Sequence, residues 1–309
     1  MVKDLGRTVE YTVKGDYFLQ SDQSDRGRRS FEREVELNPD STLANYYYGR
    51  FLLQENENRE ALVYLRKARD LDPTNADYHF WAGLAAGANG MIKEEEKSYR
   101  SALEIDANHL QSLIYLGHRL LAGKRYEKAL DLYMQALAIW PGSPSALYNR
   151  ALILNKLGRT PEEIIAWLDY LEQYPTGSMA RQATDYLNGA RNFSFRNHTL
   201  GTHTITLEKI RFVPFSAELA DASHNSLLLV GEVFADMQQG TLQIITYQKN
   251  NKELAQRRVI AIKDYLLAEF PSIPRTRIGI SWFAEPQRIM ISGKKLSIEE
   301  SVSFFVTVK

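Results

Sequence analysis

The sequence predicts a two-part fold: an N-terminal all-α solenoid of helical hairpins, then an α/β sandwich built from one sheet and two helices. Three observations carry this reading. A 34-residue period runs from residue 8 to residue 177. Small residues and prolines recur at fixed places within that period. Beyond residue 203 the spacing changes, and short alternating segments are interleaved with two helix-like ones.

Aligned as blocks 8–41, 42–75, 76–109, 110–143 and 144–177, the eighth position reads Gly15, Gly49, Gly83, Gly117 and Ala151. The end of each block reads Pro39, Pro73, Ala107, Pro141 and Pro175, and position 27 reads Glu34, Ala68, Ala102, Ala136 and Tyr170. Between the halves of each block stands a residue suited to a left-handed helix end: Asp22, Asn56, Gly90, Gly123 and Gly158. Two antiparallel helices approach closely only where one lacks a bulky side chain. Gly49 with Ala61 and Ala68, and Gly117 with Ala129 and Ala136, meet that need. Leu113, Leu116, Tyr133 and Leu137 fill the space around the crossing in the fourth block. Proline near the block end stops one helix and opens the next turn. Asn38-Pro39-Asp40-Ser41 and Asp72-Pro73-Thr74-Asn75 supply N-cap residues there. The first and fifth blocks are the most degenerate, as terminal units of a solenoid are.

A 34-residue helix–turn–helix unit with small residues at positions 8 and 27 and proline near 32 resembles the tetratricopeptide repeat. The resemblance implies a protein-binding array without chemistry of its own. In such arrays positions 2, 5, 9 and 12 of the first helices line the concave face. Here position 5 gives Thr12, Tyr46, Phe80, Ile114 and Tyr148, and position 9 gives Asp16, Arg50, Leu84, His118 and Leu152. The expected partner groove is therefore Tyr46, Arg50, Phe80, Leu84, Ile114, His118 and Tyr148. It is aromatic and aliphatic with two polar points, and it suits an apolar or aromatic segment of a protein partner. The Lys and Asn residues by which chaperone-binding members hold a C-terminal carboxylate do not stand at these positions.

The boundaries expected are five repeats over 8–177, a capping helix over 178–190, a linker over 191–202 and a second domain over 203–309. Phe193, Phe195 and Leu200 make the linker one that packs, and Asn197-His198-Thr199 within it is a bare glycosylation tripeptide. In the second domain, 204–212, 241–246, 277–283, 288–291 and 301–308 read as strands, and 219–237 and 251–270 as helices.

Phe215-Ser216-Ala217-Glu218-Leu219, Leu254-Ala255-Gln256-Arg257-Arg258-Val259 and Arg277-Ile278 followed by Phe283-Ala284-Glu285 occur in an order and spacing that resemble the C-terminal OmpA-like domain of bacterial envelope proteins. That resemblance implies an α/β sandwich that holds peptidoglycan, with Arg258 at the position of the arginine that grips the diaminopimelate carboxylate. It also implies residence in the periplasm, within the cell envelope at the outer membrane. The segment 245–250, where the family carries a loop aspartate, has none. The helix N-terminal amides near Asn251 remain as an anion-binding part. Independently of the resemblance, Leu254, Arg258, Ile262 and Leu266 are four apart and share a helix face, so a guanidinium among aliphatics there needs an anionic or carbonyl partner. The alternative is a structural assembly component in which this domain docks protein rather than peptidoglycan; a cytosolic scaffold comes third.

Composition narrows the classes. The 309 residues carry 38 basic and 38 acidic side chains, which argues against nucleic acid as a partner. Runs such as Arg26-Gly27-Arg28-Arg29 and Lys93-Glu94-Glu95-Glu96-Lys97 read as solvated helix faces. Without cysteine, disulfides and thiol chemistry are excluded. No stretch approaches the run of about 20 apolar residues that a membrane span needs. The N-terminal heptapeptide Met1-Val2-Lys3-Asp4-Leu5-Gly6-Arg7 does not read as a signal peptide. His79, His109, His118, His198, His203 and His224 show no ligand spacing, and no phosphate loop or nucleophile elbow occurs. The expectation is a non-enzymatic scaffold with no metal and no cofactor.

Overall fold

A computed structural model of the chain describes residues 2–21, 23–291 and 293–307. The chain divides into two compact units, one ending at Ile153 and the other beginning at Leu154.

The first unit is helical. α1 (Val2–Gln20) and α2 (Ser24–Leu37) form the first hairpin, α3 (Thr42–Gln54) and α4 (Asn58–Leu71) the second, α5 (Ala76–Ala88) and α6 (Ile92–Ile105) the third, and α7 (Leu110–Ala122) and α8 (Tyr126–Ile139) the fourth. The unit boundary falls inside α9 (Pro144–Lys156). From Thr42 onward, first helices begin at 42, 76, 110 and 144, which is the sequence period repeated in three dimensions. The caps follow the sequence chemistry: Ser41, Asn75 and His109 side chains accept the backbone N–H groups of Ala44, Asp77 and Ser112. Left-handed backbone appears at Asn56, Gly90 and Gly158, as the sequence predicts. In the fourth hairpin it is Lys124 (φ 56°), not Gly123, because Gly123 still serves as the C-cap and the chain reverses one residue later. Asp22, the residue expected in that role in the first hairpin, lies outside the described residues.

The small-residue rule has a direct steric basis. A Cβ built on Gly49 lies 2.6 Å from the Leu65 Cγ, and one on Gly83 lies 2.9 Å from the Ser98 Cβ. Gly49→Ala brings two opposed effects: a helix-propensity gain of up to about 1 kcal/mol and an overpacking cost of about 1–3 kcal/mol. A net loss of about 1 kcal/mol is expected by urea denaturation. Gly117→Ala, where the nearest Tyr133 ring atoms are 3.0 Å away, should be closer to neutral. Equal losses at the two sites would contradict this account of the crossing.

The second unit holds α10 (Thr160–Gln173) and α11 (Gly177–Gly189), then a strand-bearing region. β1 (Phe195–Leu200) and β2 (His203–Glu208) form an antiparallel hairpin. After it come α12 (His224–Ala235), β3 (Thr241–Gln248), α13 (Lys252–Glu269), β4 (Ile278–Phe283), β5 (Gln287–Ile291), β6 (Lys294–Ile298) and β7 (Glu300–Thr307). β3 is central, parallel to β4 and antiparallel to β7; the β3–α13–β4 crossover supplies the length that parallel pairing needs. β5 and β6 form a separate antiparallel ribbon. Leu227, Val230 and Phe234 of α12 and Val259, Ile262 and Leu266 of α13 bury against Leu242, Ile244 and Phe304 of the sheet.

Three expectations are corrected here. The stretch 191–202 is not a linker: it contains β1, whose Phe195 and Leu200 are buried and whose backbone pairs with β2 along its whole length. The single expected sheet is three hydrogen-bonded groups, β1-β2, β4-β3-β7 and β5-β6. Between β1 and β7 a side chain does the bridging, with His198 Nδ1 accepting the Phe304 N–H at 3.3 Å. The helix expected over 219–237 begins only at His224. The Ser223 hydroxyl accepts the Arg211 N–H at 2.7 Å and donates to the Arg211 carbonyl at 2.9 Å, so 221–223 is drawn into a single 3-10 turn.

Candidate functional site

The first helices of the hairpins bring aromatic side chains together in two linked groups. Around Arg50 of α3, the guanidinium carbon lies 4.3 Å from the Trp81 ring centroid, 5.1 Å from Tyr46 and 5.6 Å from Tyr47. Arg50 Nη1 donates to the Tyr46 hydroxyl at 3.0 Å and stands 3.5 Å from Asp16. The cation is thus enclosed by ring faces, an arrangement favourable for guanidinium. Burial pushes the Tyr46 phenol well above its ordinary value, so it stays neutral and can accept this bond.

The second group centres on Phe80 of α5. Its ring lies 5.5 Å from Trp81, 5.7 Å from Tyr99, 5.6 Å from His109 and 5.2 Å from Tyr115. His118 of α7 continues the series, 5.7 Å from Tyr115 and 5.8 Å from Tyr133, and its Nε2 is 2.8 Å from the Ser145 hydroxyl. Burial lowers the His118 pKa, which keeps the imidazole neutral. Leu84 and Ile114 are half-buried beside these rings in the sequence, and Tyr148 of α9 is buried.

Asp16 and Asp77 keep about half of their side-chain surface, 46% and 54%. Asp77 accepts a bond from His109 Nε2 at 3.2 Å, which holds its carboxyl below the usual range. The cluster therefore combines an enclosed cation with open carboxylates.

The position-5 rings Tyr46 and Phe80 are almost fully buried, and packing between neighbouring helices uses most of their surface. The rings with surface left are one residue further on: Trp81 is partly exposed and Tyr115 is 38% exposed. Sequence reasoning missed both. The recurrence of an aromatic at position 6 (Tyr47, Trp81, Tyr115) was the signal that could have found them.

Arg258 of α13 is only 4% exposed. Its Nε donates to the Ser216 carbonyl at 2.9 Å and its Nη1 to Gln248 Oε1 at 2.6 Å. Glu300 Oε2 is 3.0 Å from the same Nη1, and the Phe212 ring centroid lies 4.5 Å from the guanidinium carbon. The chain thus provides both the carbonyl and the carboxylate that a buried guanidinium requires. At the start of α13 the Asn251 side chain accepts the Leu254 N–H at 2.9 Å, so that amide is already capped. Among the described residues no group of three or more His, Asp or Glu is placed to hold a metal, and no helix is long and apolar enough to cross a membrane.

Helical hairpins at a fixed period, small residues at each crossing and an aromatic cluster on the first helices define a helical-repeat protein. The chain belongs to the tetratricopeptide repeat family, whose model matches residues 12–76, 52–109 and 116–178, a little over half of its length. It is 29% identical over 121 residues to mouse (Mus musculus) Tetratricopeptide repeat protein 7B, covering 39% of this chain and 14% of that protein. It is 32% identical over 107 residues to the Type IV pilus assembly protein PilF of Pseudomonas aeruginosa, covering 34% of this chain and 40% of that protein. The chain thus spans less than half the length of these curated relatives. The solved structure of Pseudomonas aeruginosa pilF superposes with a TM-score of 0.55 at 15% identity, over 77% of this chain and 96% of that one, a likeness of fold. The strand-bearing region lies beyond the segments that the repeat model matches.

Proposed function

We propose that this chain is a non-enzymatic scaffold whose repeats hold a segment of a partner protein, in an assembly of the bacterial cell envelope. The observation that carries the reading is the Arg50–Trp81–Phe80–Tyr115 cluster with the open carboxylates of Asp16 and Asp77 near it. Partly exposed aromatics offer large contact area at low entropic cost, and half-exposed carboxylates favour basic residues on the partner. The groove residues are Tyr46, Arg50, Phe80, Leu84, Ile114, His118 and Tyr148 together with Trp81 and Tyr115. The pilus-assembly relative and the OmpA-like resemblance support an envelope setting in the periplasm.

The strand-bearing region is a protein-docking module in this reading, because Arg258 is already engaged by the Ser216 carbonyl, Gln248 and Glu300 of its own chain. Peptidoglycan contact is the second reading. The Glu300 side chain, 37% exposed, is the point at which a ligand carboxylate would exchange onto Arg258.

One experiment addresses both. Full-length wild type and the W81A/Y115A double variant are used as baits on envelope extract, and wild type and E300Q are sedimented with purified peptidoglycan. A protein retained by wild type and lost from a still-folded double variant is the expected result; identical captures refute the groove. Sedimentation of either chain with peptidoglycan favours the second reading over the docking module.

A further inference from the structure

The strand-bearing region contains a cavity of about 320 Å³, bordered by β1 and the chain leading into it, by β2 and the residues after it, by the end of β6 and by the start of β7. At about 30 Å³ per liquid water it has room for roughly ten non-hydrogen atoms. Leu207, Ile210, Ile298 and Val302 give it an apolar lining. Arg258 does not line it.

The ionic balance of the lining is uneven. Its two carboxylates are engaged elsewhere: Glu300 is 3.0 Å from Arg258 and Glu208 is 3.0 Å from Arg211. Its three cations, Arg191, Arg196 and Lys209, make no ion pair among the described residues. Arg196 is the critical one. Its Nη1 donates at 2.7 Å to Gln287 Oε1, a neutral amide oxygen that also accepts from the Ser301 hydroxyl at 2.7 Å. Burial depresses the guanidinium pKa, as expected for a desolvated cation without an anion. Such a charge carries a large penalty until a counter-charge arrives.

His198 adds a donor. Its Nδ1 accepts the Phe304 N–H, so in the neutral ring the proton sits on Nε2, and Nε2 has no hydrogen-bond partner among the described residues. Burial, and then the nearby Arg196 charge, lower the imidazole pKa from 6.5 to about 3, so the ring is neutral at pH 7. A neutral N–H, an unpaired guanidinium and aliphatic walls of this volume form a concave site with few polar groups among apolar ones.

We infer that this cavity binds a small organic carboxylate, its carboxyl group received by Arg196 and the His198 Nε2–H and its apolar body lying against Leu207, Ile210 and Val302. A compact dianion such as phosphate is disfavoured, because it would leave the aliphatic lining unfilled beside two carboxylates.

The test is calorimetric titration of the full chain with 3-phenylpropionate, its uncharged amide and inorganic phosphate. The acid is expected to bind at least about tenfold tighter than the amide, the value of one charge-assisted hydrogen bond. Phosphate is expected to be the weakest. Arg196→Gln should remove that tenfold preference. Ser194→Trp, which fills the cavity from its rim and leaves the cation in place, should abolish binding with the melting curve unchanged. If Arg196→Gln does not fold, Ser194→Trp decides alone. The inference is overturned by no binding of 3-phenylpropionate to wild type, by equal affinity for acid and amide, by tighter binding of phosphate, or by full binding in folded Ser194→Trp.

Discussion

Replacing Arg258 by Met is expected to remove about 3–5 kcal/mol of stability from the strand-bearing unit, because it strips the partners of a buried charge. The methionine would still cover Phe212, so apolar contact is largely preserved and the loss reports on polar groups. The Ser216 carbonyl and the Gln248 side chain lose the donor that Arg258 supplies, and Glu300 loses its cation. Glu300→Gln is the control: it removes the counter-charge of a buried guanidinium but leaves the Ser216 carbonyl and Gln248 as acceptors, so a smaller loss of about 1–3 kcal/mol is expected. Native-state hydrogen exchange of β3 and α13 amides resolves this unit from the helical one. A loss below about 1 kcal/mol for Arg258→Met would mean that water replaces these bonds without penalty.

Tyr99→Ala is expected to cost the helical unit about 3–5 kcal/mol, as truncations of large buried aromatics do. The ring is fully buried, stacks on Phe80 at 5.7 Å and lies 6.1 Å from Tyr115. Gly83 leaves the space that the ring occupies, since a Cβ there would come within 2.9 Å of it. Truncation therefore opens a void that backbone on the other side of the crossing cannot fill. The hydroxyl matters less. It donates to Glu95 at 3.3 Å, and Glu95 keeps Arg119 at 3.2 Å, so Tyr99→Phe should lose about 1 kcal/mol. Exchange protection across α5 and α6 measures both. If Tyr99→Ala and Tyr99→Phe prove equal, the ring is not what holds these helices.

The hairpin repeats were legible because their determinants are local. A small residue at the crossing, a side-chain cap before first helices such as α3, α5 and α7, and a proline after most second helices all act within one turn, and first helices duly begin 34 residues apart from Thr42 onward. The α13 helix and the β3, β4 and β7 strands were legible for the same reason, through apolar period. β1 was not. In Phe195–Leu200 the inward positions include His198, a polar residue, and its role depends on Phe304, far along the chain. Which aromatic rings keep free surface was not legible. Whether a ring at position 5 or position 6 keeps free surface depends on how successive hairpins are rotated, and spacing within one helix does not encode that rotation. For Arg258, burial could be read from its aliphatic neighbours on the helix, whereas Ser216, Gln248 and Glu300 could not, because each sits on a different element.

The imidazole that fills the gap between β1 and β7 has a further effect. An unpaired strand margin is a template on which another polypeptide can add itself, and folded chains suppress such margins in order to stay soluble. By occupying the Phe304 amide and laying its ring against the Phe304 side chain at 5.6 Å, His198 withdraws that stretch from intermolecular recruitment without lengthening the sheet.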